Sequence, residues 1–121
     1  MQFVSVRVIT HDVARLAEFY GRATGLEVRW RAEQFAELLG GSCTLAIGSA
    51  ETMTLFSAGA AVPESNRTAI IEFRVDDVDA EFERLTDAEI VQKPTTMPWG
   101  NRSLLFRDPD GNLVNFFTPP A

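Results

Sequence analysis

Charged side chains alternate with apolar ones in two strand-like segments, and these charges are the first candidates for chemistry. Arg7 lies in the run 3–9 (FVSVRVI), and Glu72 and Arg74 lie in the run 70–75 (IIEFRV). Charged groups rarely stay on an inward-facing surface unless they are paired or bind a ligand. Two interpretations follow: an internal Arg–Glu–Arg ion network, or a site in which Arg7 or Arg74 binds an acidic group of a ligand. In the second, Glu72 is a candidate general base.

The two tryptophans are candidates for the aromatic wall of such a site. Trp30 and Trp99 either stack on a planar ligand or pack in the core or at an edge. Trp99 stands between Pro98 and Gly100 in a predicted loop, and binding residues are often found on loops. This context favours a place for Trp99 at the rim of the site.

Other reactive residue types are scarce, which excludes several kinds of site. His11 is the only histidine, so neither a His-pair metal site nor a 2-His-1-carboxylate triad can form within one chain. Its place before a helix start predicts a surface or capping role. Cys43 is the only cysteine, which excludes an intramolecular disulfide, fits a reducing compartment and predicts a small buried hydrophobe. No Ser–His–Asp set, Walker loop or CxxC pair is present.

Length and charge narrow the class of protein further. A chain of 121 residues predicts one compact domain, or two half-size repeats fused into one. The net charge of −6 argues against a nucleic-acid partner, which requires a basic face. No apolar run approaches the ~18 residues of a membrane span, and the chain opens on a strand-like run with no visible signal peptide. We therefore expect a cytoplasmic protein without a nucleic-acid or membrane partner.

The elements that position these residues occur twice in the same order, β-α-β-β-β. The first set is strand 3–9, a helix from Asp12 to Gly25, and strands 26–32, 35–39 and 43–47. The second set is strand 70–75, a helix opened by Asp76 and Asp77, and strands 89–92, 103–107 and 112–118, with a loop at 93–101. Segment 48–67 reads as a linker, in which 53–56 is a possible short strand. We predict one domain over 1–121, with module one at about 1–57, a linker at about 58–67 and module two at about 68–119.

The closing hairpin is the most distinctive of these elements. Asp108-Pro109-Asp110-Gly111 has the residue types of a tight turn, because Pro109 presets φ and Gly111 tolerates positive φ. In the strand that follows, alternation places Leu113, Asn115 and Phe117 on one face. Asn115 is therefore expected at the centre of a functional face.

The alternation also predicts which face of each first strand carries the charges. Val4, Val6 and Val8 share one face in the first module, and we expect that face to lie under a helix. The opposite face carries Ser5 and Arg7. In the second module the same reasoning assigns the apolar residues Ile71, Phe73 and Val75 to the helix side, opposite Glu72 and Arg74.

Two segments, HDVARLAEFYGRATGLEV and FRDPDGNLVNFF, resemble the vicinal oxygen chelate superfamily. This superfamily includes glyoxalase I, extradiol dioxygenases, bleomycin-resistance proteins and fosfomycin-resistance enzymes. The resemblance covers nearly the whole chain. It implies an α+β fold of two βαβββ modules that form a curled, cup-shaped mixed sheet with the helices outside.

Metal-using members of the superfamily hold one divalent ion on four inward-facing positions, typically His or Glu. The resemblance places three of these positions at Ser5, Ile70 and Asn115. The middle-strand position is Thr44 or Ala46, or Thr54 if the later segment is the strand. None of these residues is His, Asp, Glu or Cys, and Ser, Thr and Asn oxygens are weak ligands alone. We therefore expect no metal and no other cofactor.

These observations predict a metal-free protein of the glyoxalase and bleomycin-resistance type that binds a small acidic or aromatic molecule in its cup. The predicted ligand-binding residues are Ser5, Arg7, Glu72, Arg74, Trp99, Asn115 and Phe117. One alternative is an enzyme, a glyoxalase-like lyase or a dioxygenase, that uses a metal or Glu72 as base. Another is a regulatory or structural dimer. We also expect a homodimer, because unpaired sheet edges favour pairing and the resemblance points the same way.

Overall fold

A computed structural model describes all residues of the chain, Met1–Ala121. The elements are β1 (Ser5–Thr10), α1 (Val13–Thr24), β2 (Val28–Ala32), β3 (Phe35–Leu39), β4 (Thr44–Ser49), a 3₁₀ helix (Ala50–Leu55), β5 (Ile70–Arg74), α2 (Val78–Arg84), β6 (Glu89–Thr96), β7 (Arg102–Arg107) and β8 (Leu113–Thr118). This order confirms the predicted α+β class with two βαβββ sets. Each set belongs to its own unit, Met1–Ser65 or Asn66–Ala121.

Both units use the same sheet topology. The strand order is β1-β4-β3-β2 in the first unit and β5-β8-β7-β6 in the second. In each sheet the first strand is parallel to the last one, and the remaining pairs are antiparallel. The sheets are open, so each has two edge strands: β1 and β2 in one, β5 and β6 in the other.

Both helices begin at the predicted cap residues. Asp12 precedes α1, and its carboxylate accepts a hydrogen bond from the Arg15 backbone N–H at 3.1 Å. Asp77 does the same for α2 with the N–H of Ala80 at 3.1 Å. Gly25 ends α1 with φ of 71°, a left-handed conformation that glycine adopts without strain. None of the helices is both long and apolar enough to cross a membrane.

The core of the first unit lies between α1 and part of its sheet. Leu16 and Tyr20 of α1 are buried, as are Leu38 of β3 and Ile47 of β4. Helix α1 packs mainly against β2, β3 and β4, so it leaves the valine face of β1 uncovered. Val6 is accordingly 43% exposed, which corrects the expectation that a helix covers this face.

The core of the second unit is aromatic. Phe116 of β8 makes edge-to-face contacts with Phe106, at 4.9 Å between ring centroids, and with Phe73, at 5.7 Å. Val114 lies on the same face and is fully buried. Because Phe73 pairs with Phe116 across β5 and β8, Glu72 and Asn115 share the opposite face of the sheet, as predicted.

Two local predictions are wrong. Segment 53–56, a possible short strand by sequence, is not a strand: residues 53–55 end the 3₁₀ helix and Phe56 follows it. Ser49 caps this helix by accepting a hydrogen bond from the Thr52 N–H at 3.3 Å. The predicted loop 93–101 begins later, because β6 continues to Thr96. Pro94 is tolerated there since β6 is an edge strand and its pairing with β7 is irregular between Gln92 and Thr95.

Cys43 also differs from the expectation of burial. It lies exposed in the turn before β4, where the sulfur contacts the Thr44 carbonyl oxygen at 3.8 Å. Its backbone carbonyl accepts a hydrogen bond from the Gly40 N–H at 3.1 Å, so Cys43 closes the turn while its side chain faces solvent.

Candidate functional site

An amide and a carboxylate from adjacent strands form the centre of the candidate site in the second unit. Glu72 of β5 lies directly opposite Asn115 of β8 in the parallel pair. The Asn115 Nδ2 donates a hydrogen bond to Glu72 Oε2 at 2.8 Å. The Glu72 residue is exposed, whereas Asn115 is only 9% exposed. The pair therefore consists of a solvent-exposed carboxylate and a buried amide that donates a hydrogen bond to it.

The other side of the Asn115 amide is unusual. Its Oδ1 is buried and has no hydrogen-bond partner. Such an orphaned acceptor costs about 1–3 kcal/mol in a protein interior, so most buried amides avoid it. Nearby Asn112 shows the usual arrangement: its Nδ2 donates to Asp108 and its Oδ1 accepts from Asn66. A buried acceptor without a partner in the protein is free to accept a hydrogen bond from a ligand or a water molecule.

Arg74 and Phe117 form the next row along this face. They lie opposite each other in the same strand pair, two residues beyond Glu72 and Asn115. Arg74 is exposed and has no carboxylate partner, so the ion-network interpretation does not hold for Glu72 and Arg74. Two steps along a strand separate the Cα atoms by about 6.6 Å, so one small molecule can reach both rows.

Trp99 lies at the tip of the β6–β7 hairpin, at the end of the sheet where Ser103 lies opposite Phe117. Its side chain is 69% exposed. The turn is closed by the hydrogen bond from the Gly100 N–H to the Met97 carbonyl at 2.9 Å. A side chain on Gly100 would meet Pro120 at 3.0 Å, so this turn has little room to change.

The first unit carries a second charged position at Arg7 of β1. The guanidinium carbon of Arg7 lies over the ring of Phe35 at 4.4 Å and over that of Phe56 at 5.4 Å. Both distances lie within the range of cation–π attraction. Sequence reasoning missed both rings, although the alternation of strand 35–39 could have placed Phe35 on this face.

Glu37 is the carboxylate on the same face of the first sheet. It lies opposite Ala46 of β4, and Ala46 lies opposite Arg7 of β1. Glu37 is already paired with Arg31, whose Nε lies 2.5 Å from its Oε1. Arg7 thus has aromatic neighbours in its unit and no carboxylate partner there. The sequence did not single out Glu37, Arg31 or their pairing.

The metal positions that the resemblance implies can be compared with the observed register. In the second unit, Asn115 lies opposite Glu72, which is two residues after Ile70. In the first unit, Arg7 is two residues after Ser5, and the residue opposite Arg7 is Ala46. Ala46 is therefore the equivalent of Asn115. Thr54 is excluded because it lies in the 3₁₀ helix.

Serine, alanine, isoleucine and asparagine do not fit a divalent metal ion that requires carboxylate or imidazole ligands. In addition, no group of three or more His, Cys, Asp or Glu side chains is placed to hold a metal ion anywhere in the structure.

Two surface cavities lie in the first unit, and none of the predicted ligand-binding residues lines either of them. One, of about 430 Å³, lies between α1 and β2 and is lined by Trp30 and Gly21. The other, of about 500 Å³, lies between residues 2–4 and 41–44. Trp30 lies opposite buried Ala36 of β3, so it belongs to the helix side of the sheet rather than to the face with Arg7.

Comparison with known proteins agrees with this fold. The family model described as Glyoxalase/Bleomycin resistance protein/Dioxygenase superfamily matches residues 2–116. The uncharacterized protein YraH of Bacillus subtilis (strain 168) is 26% identical over 125 residues, covering 97% of this chain and 98% of its own length.

Two solved structures are similar over nearly the whole chain. A glyoxalase/bleomycin resistance protein/dioxygenase from Nocardioides is 26% identical with a TM-score of 0.79, and the match covers 99% of this chain and 84% of that one. A glyoxalase/bleomycin resistance protein/dioxygenase family enzyme from Burkholderia phytofirmans PsJN is 19% identical with a TM-score of 0.84, covering 94% and 95% of the two chains. At 19% identity, the second likeness concerns the fold alone.

Proposed function

Because the chain belongs to the glyoxalase/bleomycin resistance protein/dioxygenase superfamily, we propose that it is a member that binds a small acidic or aromatic molecule without a metal ion. The proposed site is the sheet face of the second unit that carries Glu72, Arg74, Asn115 and Phe117. The observation that carries the proposal is the Asn115 side chain. At a position that the family uses for a metal ligand, it donates to Glu72 and leaves a buried oxygen without a partner.

The chemistry of this face supports an organic ligand rather than an ion. Arg74 supplies a permanent positive charge whose N–H donors can form a fork with an oxyanion. Phe117, half-buried opposite Arg74, supplies apolar surface for the body of the ligand. A few directed polar groups beside aromatic surface are typical of small-molecule sites.

The test is a thermal-shift screen of planar and acidic small molecules, followed by calorimetric titration of a hit into wild type and Arg74→Met. We expect the variant to bind more weakly by about 1.5–3 kcal/mol, the scale of a hydrogen bond to a charged group. The exposed Arg74 side chain has no carboxylate partner, so its loss should leave the fold intact.

Arg84→Met is the matched control for this titration. Arg84 belongs to the same unit but lies on α2, where it is already paired with Glu81. Binding to this control should equal that of wild type. Equal affinity of Arg74→Met and wild type, with both folded by circular dichroism, would remove Arg74 from the proposed site.

The metal-free part of the proposal is tested separately, by mass spectrometry of the metal content after expression in supplemented medium. One equivalent of zinc, nickel or iron that is lost on changing Ser5 or Asn115 would contradict it. Such a result would favour the alternative of a glyoxalase-like lyase or a dioxygenase. Turnover of a screened compound that is lost in Glu72→Gln would favour the metal-free form of that alternative.

A further inference from the structure

Arg7 of the first unit is held by aromatic rings and not by a carboxylate. Its guanidinium carbon lies 4.4 Å from the ring centroid of Phe35 and 5.4 Å from that of Phe56. No hydrogen bond or ion pair engages its N–H donors, while Arg29 and Arg31, the other arginines in strands of the first unit, are paired with glutamates. Rings attract the face of a guanidinium, and its donors point outward in its plane. The cation is therefore positioned, and its donors are free.

The neighbours of Arg7 on β4 are small and buried. Ala46, opposite Arg7, is 3% exposed, and Gly48 lies two residues further along the same strand. A side chain added to Gly48 would meet the Thr52 Oγ1 at 3.1 Å and the Arg7 Cδ at 3.8 Å, so a ligand has no room on this part of the sheet. Arg7 itself is exposed, and Phe56, whose ring lies beside its guanidinium, is 66% exposed, so a ligand can reach both from solvent.

From this arrangement we infer that Arg7, Phe35 and Phe56 bind an aromatic carboxylate, with the carboxylate on the in-plane donors of Arg7 and the ring of the ligand against Phe56. The inference rests on the proposed function for the kind of ligand, which it narrows to an aromatic carboxylate, and it assigns that ligand a position in the first unit. A carboxylate matches the two parallel N–H groups of a guanidinium. Exposed aromatic surface favours a flat ring, since offset stacking adds to burial.

Because the rings of Phe35 and Phe56 hold Arg7 before a ligand binds, we expect binding of small ligands to be measurable. An unrestrained arginine side chain loses rotamer freedom when it binds, and the two rings have already removed much of that freedom. For a molecule as small as benzoate, the expected dissociation constant is on the order of millimolar. Nuclear magnetic resonance titration, which follows the Nε–H signal of Arg7 directly, suits such affinities.

The experiment titrates benzoate into wild type, Arg7→Met, Arg7→Lys and Arg29→Met. We expect saturable shifts of the Arg7 signal in wild type and at least about tenfold weaker binding in Arg7→Met, as the loss of a charged hydrogen bond implies. Arg7→Lys keeps the charge but not the fork, so it should fall between the two. Arg29→Met, which loses an exposed arginine paired with Glu27, should bind as wild type does.

Three further probes separate the chemistry of the ligand. Benzamide lacks the charge and should not bind, and inorganic phosphate lacks the ring and should bind more weakly than benzoate. Cyclohexanecarboxylate keeps the charge without the flat ring, and Phe56→Leu should reduce the difference between it and benzoate. Equal binding of benzoate and phosphate, or wild-type binding by Arg7→Lys, would overturn the inference.

Titration of Arg7→Met and Arg74→Met with the same ligand also distinguishes failure of the Arg7 inference from failure of the proposed function. If benzoate or a screened acid binds and only Arg74→Met loses it, the proposed function stands and the Arg7 inference is wrong. If Arg7→Met loses it and Arg74→Met does not, the Arg7 inference stands and the site proposed on the second unit is wrong. If no acidic or aromatic probe binds wild type, both are wrong.

Discussion

Asn112 and Asn115 are two buried asparagines three residues apart, and they differ in how fully their amides are used. Asn112 is 6% exposed, and both ends of its amide are hydrogen-bonded, to Asp108 at 2.8 Å and to Asn66 at 3.1 Å. Asn115 has one partner, Glu72, and one buried oxygen with none. The Asn112 amide stabilises the turn between β7 and β8 through its hydrogen bond to Asp108. The Asn115 amide carries a cost in the free energy of folding that binding can recover.

The same substitution at both positions measures that difference. Leucine has the same branching and number of side-chain heavy atoms as asparagine but no polar group. Asn115→Leu should change the free energy of unfolding by no more than about 1 kcal/mol, because it removes the orphaned oxygen and returns exposed Glu72 to water. Asn112→Leu should cost at least about 2 kcal/mol more, since it removes one hydrogen bond to the buried Asp108 carboxylate and one from Asn66.

Urea unfolding followed by circular dichroism gives both values. Similar losses for the two variants would mean that the Asn115 oxygen has a partner in solution, and the candidate site would lose its main support. A stabilised Asn115→Leu that no longer binds a screened ligand would be the clearest sign of a functional asparagine.

For single residues, the sequence predicted the face of the sheet on which a side chain lies better than it predicted the partners of that side chain. The alternation of residues 70–75 and 112–118 correctly placed Glu72 and Asn115 on one face. The partner of Glu72 was not predicted, because alternation does not say which residues of neighbouring strands lie opposite each other. Phe56 was missed for a different reason: it follows a 3₁₀ helix, whose residues have no strand alternation.

At the scale of elements, Arg102 connects helix α2 to the β6–β7 hairpin. Its Nε and Nη2 donate to the two carboxylate oxygens of Asp79, at 2.8 and 2.9 Å, and its Nη1 donates to Thr96 at 3.1 Å. The hydrogen bonds that Arg102 donates to Asp79 lower the pKa of Asp79 below its ordinary value of 3.8. A fork to both oxygens fixes the orientation of the side chains even where solvent screens the charge.

This pair predicts a pH dependence with a definite sign. The folded pKa of Asp79 is depressed, so its contribution to stability is present above pH 3.8 and is lost as the pH falls through the lower, folded value. Asp79→Asn should therefore unfold at lower urea than wild type near neutral pH. The difference should shrink below pH 3.8.

Glu83→Gln is the control, because Glu83 lies on the same helix without an ion-pair partner. Its unfolding midpoint should stay close to that of wild type near neutral pH. A difference in the urea unfolding midpoint between Asp79→Asn and wild type that persists or increases as the pH falls below 3.8 would contradict the assigned role of Arg102.

Elements with strong local signals were predicted closely. Asp12 and Asp77 cap the helices as expected, and Gly111 has φ of 85° in the predicted turn. The errors occur where tertiary pairing decides. Strand β6 continues through Pro94 because β7 supplies a partner and the free edge tolerates a residue without an N–H. No local pattern in segment 93–101 contains that information.

At the scale of the whole molecule, the apolar side chains near the start of the chain are exposed to solvent. Phe3, Val4 and Val6 are 84%, 60% and 43% exposed, and β1 is an edge strand outside the main packing of α1. Contiguous exposed apolar side chains are typical of protein interfaces, and an unpaired edge favours association. A second copy of the chain is the partner that is always present at equal concentration.

We therefore expect a homodimer whose interface includes the valine face of β1. Light scattering after size-exclusion chromatography, at a loading on the order of tens of micromolar, should give twice the 13.4 kDa of one chain if the interface is about micromolar or tighter. Val6→Lys should shift the protein toward the monomer, because a charge would be buried without a partner. Val62→Lys, at a valine 57% exposed outside the sheets, should remain dimeric. A monomeric wild type would contradict the dimer itself, and a dimeric Val6→Lys would move the interface away from β1.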